Sequence, residues 1–147
     1  MTTRIIRTNA DIDGLARLLL ARKLPMTVSI IAGADRSHQQ NRLSHLWYAQ
    51  AAAQLGDRDA EDVRAVCKLH YGVPIMRDDV PAYREQYDSL IKPLSYERKL
   101  SLMVGAMPFP VTSLMTTRQM ARYLDIVSRK LTEQGVKLTF PDAGDQP

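Results

Sequence analysis

The chain reads as an α+β protein: a mainly helical single domain with a small β-sheet and one central buried helix, assembled as a dimer. Three stretches predict this. The N-terminal region alternates β-prone, helical and β-prone segments. Arg36–Leu55 has the pattern of a helix that is apolar almost all round. Thr116–Glu133 carries every mark of an amphipathic helix, from its capping residues to its glycine stop. Residues 1–140 form the domain in this reading, and 141–147 an acidic, disordered tail.

Taken in order, Thr2–Arg7 (T-T-R-I-I-R) is short and β-prone and is expected to be a strand. Asp11–Lys23 follows as a helix, with Asp11 as N-cap and Ile12, Leu15 and Leu19 on one face; Pro25 ends it. Met26–Ala32 (M-T-V-S-I-I-A) is the best strand candidate, because Val28, Ile30 and Ile31 are β-branched and Gly33 bounds them. In Arg36–Leu55, Ser37 has the N-cap role and Gln40 the capping-box position; Gly56 is the stop. Leu43, Leu46, Trp47, Ala51 and Leu55 fall on one arc. Ala49, Ala52 and Ala53 lie off it, so more than one neighbour is expected to cover this helix, a second subunit among them.

Beyond the turn at Gly56–Asp59, Asp59 caps a helix expected to reach Tyr71, with Val63, Val66, Cys67 and His70 on its buried face and Gly72 and Pro74 as its stop. Asp78-Asp79-Val80-Pro81 opens the next helix, in which Val80, Tyr83, Tyr87, Leu90 and Ile91 share a side; Pro93 ends it. Ser95 starts a short helix to Val104. Gly105–Val111, with prolines on both sides of Phe109, is a stiff loop. The last helix has Thr116 as N-cap, Gln119 completing a capping box, and Met115 with Met120 as a hydrophobic staple. Its buried stripe is Met120, Leu124, Val127 and Leu131, and Gly135 stops it. Val136–Phe140 is expected to be a strand.

Composition bounds the function. The 147 residues are 45% hydrophobic and 24% charged, ordinary values for a soluble globular protein. No apolar run approaches the ~20 residues of a transmembrane helix, and the N-terminus lacks a secretory h-region. The single cysteine, Cys67, has no internal disulfide partner, which fits a cytoplasmic protein. The net charge of +4 is compatible with a polyanionic partner, and the surplus is local: residues 118–137 hold five Lys/Arg against two Asp/Glu.

Two cationic sets stand out. Arg36, Gln40, Asn41 and Arg42 cluster at the start of a helix, where guanidinium groups and amides suit phosphate and base edges and the helix end adds N–H donors. The plainer alternative is capping, with ion pairs to Asp35. Arg118, Arg122 and Arg129 share the outward face of the last helix, spanning ~16 Å, a spacing able to follow a phosphate backbone. The alternative is a solvated face with Arg122–Asp125 and Arg129–Glu133 pairs. Phe109 is a candidate for stacking on a base or for filling an apolar gap. Cys67 and His70 have metal-ligand spacing but no second pair to complete a zinc site. Asp78 and Asp79 could hold Mg²⁺ as in a nuclease, or simply begin a helix. There is no phosphate-binding P-loop and no G-x-S-x-G nucleophile elbow, so neither catalysis nor a cofactor or metal is expected.

R-S-H-Q-Q-N-R followed by L-W, within Arg36–Trp47, resembles the R-S-x-x-Q-N-R…L-W signature of the NinB (lambda Orf) family of phage recombination proteins. Thr112–Lys137 is similar to that family's C-terminal helix at Thr112, Ser113, Met115, Leu124, Thr132, Glu133, Gly135, Val136 and Lys137. The resemblance extends from about Met26 to Lys137; Pro74–Pro110 has no counterpart. It implies a phage- or prophage-encoded recombination mediator, acting in the bacterial cytoplasm as a homodimer. Such a protein binds single-stranded or gapped DNA and the host single-strand-binding protein, and assists recombinase loading, with no cofactor and no catalysis. The residues assigned to DNA are then Arg36, Gln40, Asn41, Arg42, Arg118, Arg122, Arg129 and Lys137. The rival readings are a metal-dependent nuclease using Asp78 and Asp79, a protein-interaction module that leaves DNA alone, and a base-flipping duplex binder.

Overall fold

The computed structural model describes residues 4–30 and 38–141. These residues are mainly helical and contain no β-strand. The chain divides into two compact units, Met1–Gly33 and Ala34–Pro147.

In the first unit, helix α1 (Asn9–Ala21) lies between irregular segments, with extended backbone at Thr8 and Arg22 on either side of it. Its N-cap is Thr8, not Asp11. Thr8 Oγ1 accepts the Asp11 N–H, while the Asp11 carboxylate accepts the N–H groups of Arg7 and Thr8. Those backbone donors hold the Asp11 carboxyl below the usual carboxylate range. None of the described residues of this unit is buried.

The small β-sheet expected from the sequence is absent among the described residues. Residues 4–7 and 26–30 carry no regular secondary structure, because no neighbouring strand takes up their backbone groups. Thr2, Thr3, Ile31 and Ala32 lie outside the described residues, as do 142–147 of the expected tail. Residues 136–140 form no strand either, and the backbone groups of Lys137 and Thr139 find side-chain partners. The Gln54 amide both donates to the Lys137 carbonyl and accepts its N–H, each at 2.7 Å. Gln50 accepts the Thr139 N–H at 3.0 Å, and Trp47 Nε1 donates to the Thr139 carbonyl at 2.8 Å. Two glutamines and a tryptophan, one turn apart on a helix, thus stand where an adjacent strand would.

The second unit is built on helix α2 (His38–Leu55), which packs against α3 (Ala60–Cys67) and α7 (Thr117–Glu133). The central helix is buried on one side only. Gln40, Ser44, Trp47, Tyr48 and Ala51 face inward, while Leu46, Ala49 and Ala53 are exposed. The buried arc is therefore turned from the one expected, because Ser44 and Tyr48 replace Leu43 and Leu46 at its centre. Their polar atoms are satisfied there: Ser44 Oγ donates to the Asn41 carbonyl, and the Tyr48 and Tyr123 hydroxyls share a hydrogen bond of 2.6 Å. Burial pushes both phenols up from their ordinary pKa.

Asp59 caps α3, in a reciprocal capping box with Asp62. The helix does not stop at Gly72 and Pro74. It passes through a π-turn, Lys68–Gly72, into α4 (Val73–Asp79). Val73 donates to the Lys68 carbonyl five residues back, and the wider turn carries the chain past Pro74, which has no N–H to give. The extra residue in the turn also rotates the face: Cys67 is buried, but His70 is exposed and pairs with the Tyr96 hydroxyl at 2.8 Å. Gly72 is required where it is, since a Cβ there would lie 2.6 Å from Val111 Cγ1. Lys68 is buried, its ammonium donating to the Met103 carbonyl at the end of α6 (Tyr96–Leu102). Desolvation pulls its pKa down to about 8.

Helix α5 (Pro81–Leu90) is joined to α4 by Arg77, which forks the Asp88 carboxylate at 2.8 and 2.9 Å. Leu90, expected on its buried side, is exposed. Phe109 packs edge-on against Tyr83 and Tyr87, and its N–H donates to the Leu102 carbonyl. The proline-rich loop is thus pinned to α5 and α6. Helix α7 matches its sequence pattern: the Thr116–Gln119 capping box forms, and Met120, Leu124, Val127 and Leu131 are buried, with Tyr123 beside them. Its end is closed by hydrogen bonds from Gly135 to Thr132 and from Val136 to Leu131, with Gly135 at positive φ. No helix among the described residues is long and apolar enough to cross a membrane.

Candidate nucleic-acid interface

Helices α2 and α7 run parallel. Gln40 reaches Thr117, Tyr48 reaches Tyr123, and Gln54 reaches Lys137 just past the end of α7, so the contacts advance together along both helices. Their N-termini consequently lie at one end of the pair. Two parallel helix dipoles place partial positive charge at that end, where anions are favoured.

The joint is Gln40. The residue is 8% exposed, and its Nε2 donates to the Thr117 carbonyl at 3.1 Å. Gln40 is therefore not placed to meet a ligand, as its position in the polar cluster suggested; it ties the start of α2 to the start of α7. Asn41 is half-buried and Arg42 exposed on one side of this joint, and Arg118 is exposed on the other. Arg36 lies outside the described residues. The starts of the two helices, which carry Arg42 and Arg118, thus lie at one end of the pair, joined through a residue counted among the ligand-binding ones.

The outward face of α7 is partly engaged within the protein. Arg122 Nη1 pairs with Asp79 Oδ2 at 2.8 Å, in place of the expected Asp125. Arg129 pairs with Asp125 at 3.4 Å, not with Glu133, which takes Lys130 at 3.7 Å. Arg118 and Arg42 make no ion pair among the described residues. The Arg129–Asp125 pair is largely solvent-exposed and the Arg122–Asp79 pair partly so, settings in which an ion pair contributes only about 0.2–1 kcal/mol. Lys137 is exposed at the opposite end, so it does not join the Arg42–Arg118 surface.

The other candidates are placed as follows. Phe109 packs edge-on against the Tyr83 and Tyr87 rings rather than standing free to stack on a base. Asp79 is taken by Arg122 and Gln119, and among the described residues no three His, Cys, Asp or Glu side chains are grouped to hold a metal. Burial pushes the Cys67 thiol up to about 12, away from nucleophilic chemistry. Asp79's partnership and the burial of Lys68 left no mark in the sequence: the first depends on α4 continuing past Pro74, the second on the π-turn. Comparison with protein-family models, curated proteins and solved structures finds no match.

Proposed function

We propose that this protein binds single-stranded or gapped DNA at the end of the α2–α7 pair and serves as a recombination mediator. The observation that carries this reading is the Gln40–Thr117 hydrogen bond, which brings the cationic starts of two long parallel helices to one place. Arg42 and Arg118 supply the first phosphate contacts; Arg122 and Arg129 extend the track along α7. Asn41 is half-buried at the same end and Arg36 precedes it in sequence. Among the described residues this surface has no platform of exposed aromatic residues, so the grip is electrostatic and tolerant of sequence.

The resemblance to the NinB family supports the same reading: a phage-encoded cytoplasmic homodimer that assists a recombinase on strands covered by the host single-strand-binding protein, without making or breaking covalent bonds. The subunit contact has material in the first unit, where Ile5, Ile12, Leu20, Leu24 and Ile30 stand exposed. The test is a salt titration with a fluorescent oligothymidylate. Arg42→Ala with Arg118→Ala is expected to weaken binding and to lower the slope of log K against log salt by about 1.4, two contacts at ~0.7 each on a single strand. Unchanged affinity and slope would reject the assignment.

A further inference from the structure

The last residue of α4 is an aspartate, and local helix energetics do not favour it there. The C-terminal end of a helix carries partial negative charge, which suits cations. The free carbonyls of that end are already served by Arg84, which donates to the carbonyls of Arg77 and Asp78. Asp79 turns to α7 instead. Its Oδ2 accepts from Gln119 Nε2 at 3.1 Å and from Arg122 Nη1 at 2.8 Å.

The Gln119 donor is held in place independently of Asp79. Gln119 Oε1 accepts the Thr116 N–H in the capping box, which fixes the amide so that its NH₂ faces outward. Arg122, one turn on, brings a guanidinium to the same point. Two N–H donors, one of them charged, converge on a single oxyanion oxygen, an arrangement that serves a carboxylate and a phosphodiester alike. The side chains of Arg122 and Asp79 are 48% and 33% exposed, so solvent and a ligand reach the pair.

We infer that Gln119 and Arg122 form a phosphodiester site and that Asp79 occupies it in the free protein. The inference rests on the DNA-binding reading and adds to it an intramolecular competitor. A backbone phosphate laid along α7 from Arg118 displaces the carboxylate, and Asp79 sets how tightly the strand must compete.

The test uses the full chain with labelled oligothymidylate. Asp79→Asn removes the charge and keeps the shape. Asp78→Asn makes the same charge change one residue away, on a carboxylate that bonds neither donor. Asp79→Asn is expected to bind up to about fivefold more tightly, the release of one exposed ion pair, with the salt slope steeper by about 0.7. Asp78→Asn is expected to change much less, and adding Arg122→Ala to Asp79→Asn is expected to abolish the gain. Equal or weaker binding by Asp79→Asn, or an equal gain from Asp78→Asn, overturns the inference while wild-type binding leaves the DNA reading standing. Failure of the wild type and every variant to bind at low salt overturns both.

Discussion

Replacing Gln40 with methionine removes its hydrogen bond to Thr117 and no charge. The side chain is buried and its amide donates to the Thr117 carbonyl at 3.1 Å; methionine has nearly the same length and fills the same space. A neutral hydrogen bond of this kind contributes about 0.5–1.5 kcal/mol. For a chain of this length the Thr117 bond alone corresponds to a fall in Tm of roughly 2–6 °C, read by differential scanning calorimetry. If the bond also holds the two helix starts in register for a ligand, affinity for a single-stranded oligonucleotide falls too, although no cation has been removed and the salt slope stays the same. Gln39→Met, on the exposed side of the same turn, serves as the control and is expected to change neither quantity. A drop in Tm with unaltered DNA affinity would refute the reasoning, because the joint would then be a matter of stability alone.

Gly72→Ala is expected to destabilise the protein by about 1–3 kcal/mol from overpacking against Val111, less the ~1 kcal/mol that alanine regains in a helix; Gly72→Ala with Val111→Ala should recover part of the loss, as chemical denaturation will show. Lys68 gives a pH signature. Its folded pKa is depressed to about 8 from 10.5, so the unfolded chain binds the proton more tightly. The lysine's unfavourable contribution is therefore fully present below pH 8 and fades as pH rises towards 10.5. Wild type should gain stability relative to Lys68→Met over that window, and a constant difference would contradict the burial of the ammonium.

Much of the second unit was legible in local chemistry. The Thr116–Gln119 box, the Met120–Leu131 stripe and Gly135 all act within one helix, and periodicity and capping report on such features directly. The strand candidates were less secure because a β-prone run states a preference and cannot supply a partner. Lys137 and Thr139 found theirs in Gln50, Gln54 and Trp47, through contacts more than 80 residues apart. Pro74 was misleading for a different reason: a π-turn accommodates it, and that turn then buries Lys68 and exposes His70. At the candidate site, the residue types Arg42, Arg118 and Arg122 were readable. Gln40's role was not, since a glutamine near a helix start reads equally as cap, ligand or joint, and only the position of Thr117 decides. The same holds for Asp79, whose partner on α7 is set by packing.

The central claim is that one polynucleotide lies across the starts of both α2 and α7. Its most direct test is photocrosslinking of a halogenated single strand to the full chain, with the modified residues identified by mass spectrometry. Attachment to the first turns of both helices, around Asn41–Arg42 and Thr117–Arg122, is the result expected. Attachment confined to the Lys137 end or to residues 4–30 would contradict it.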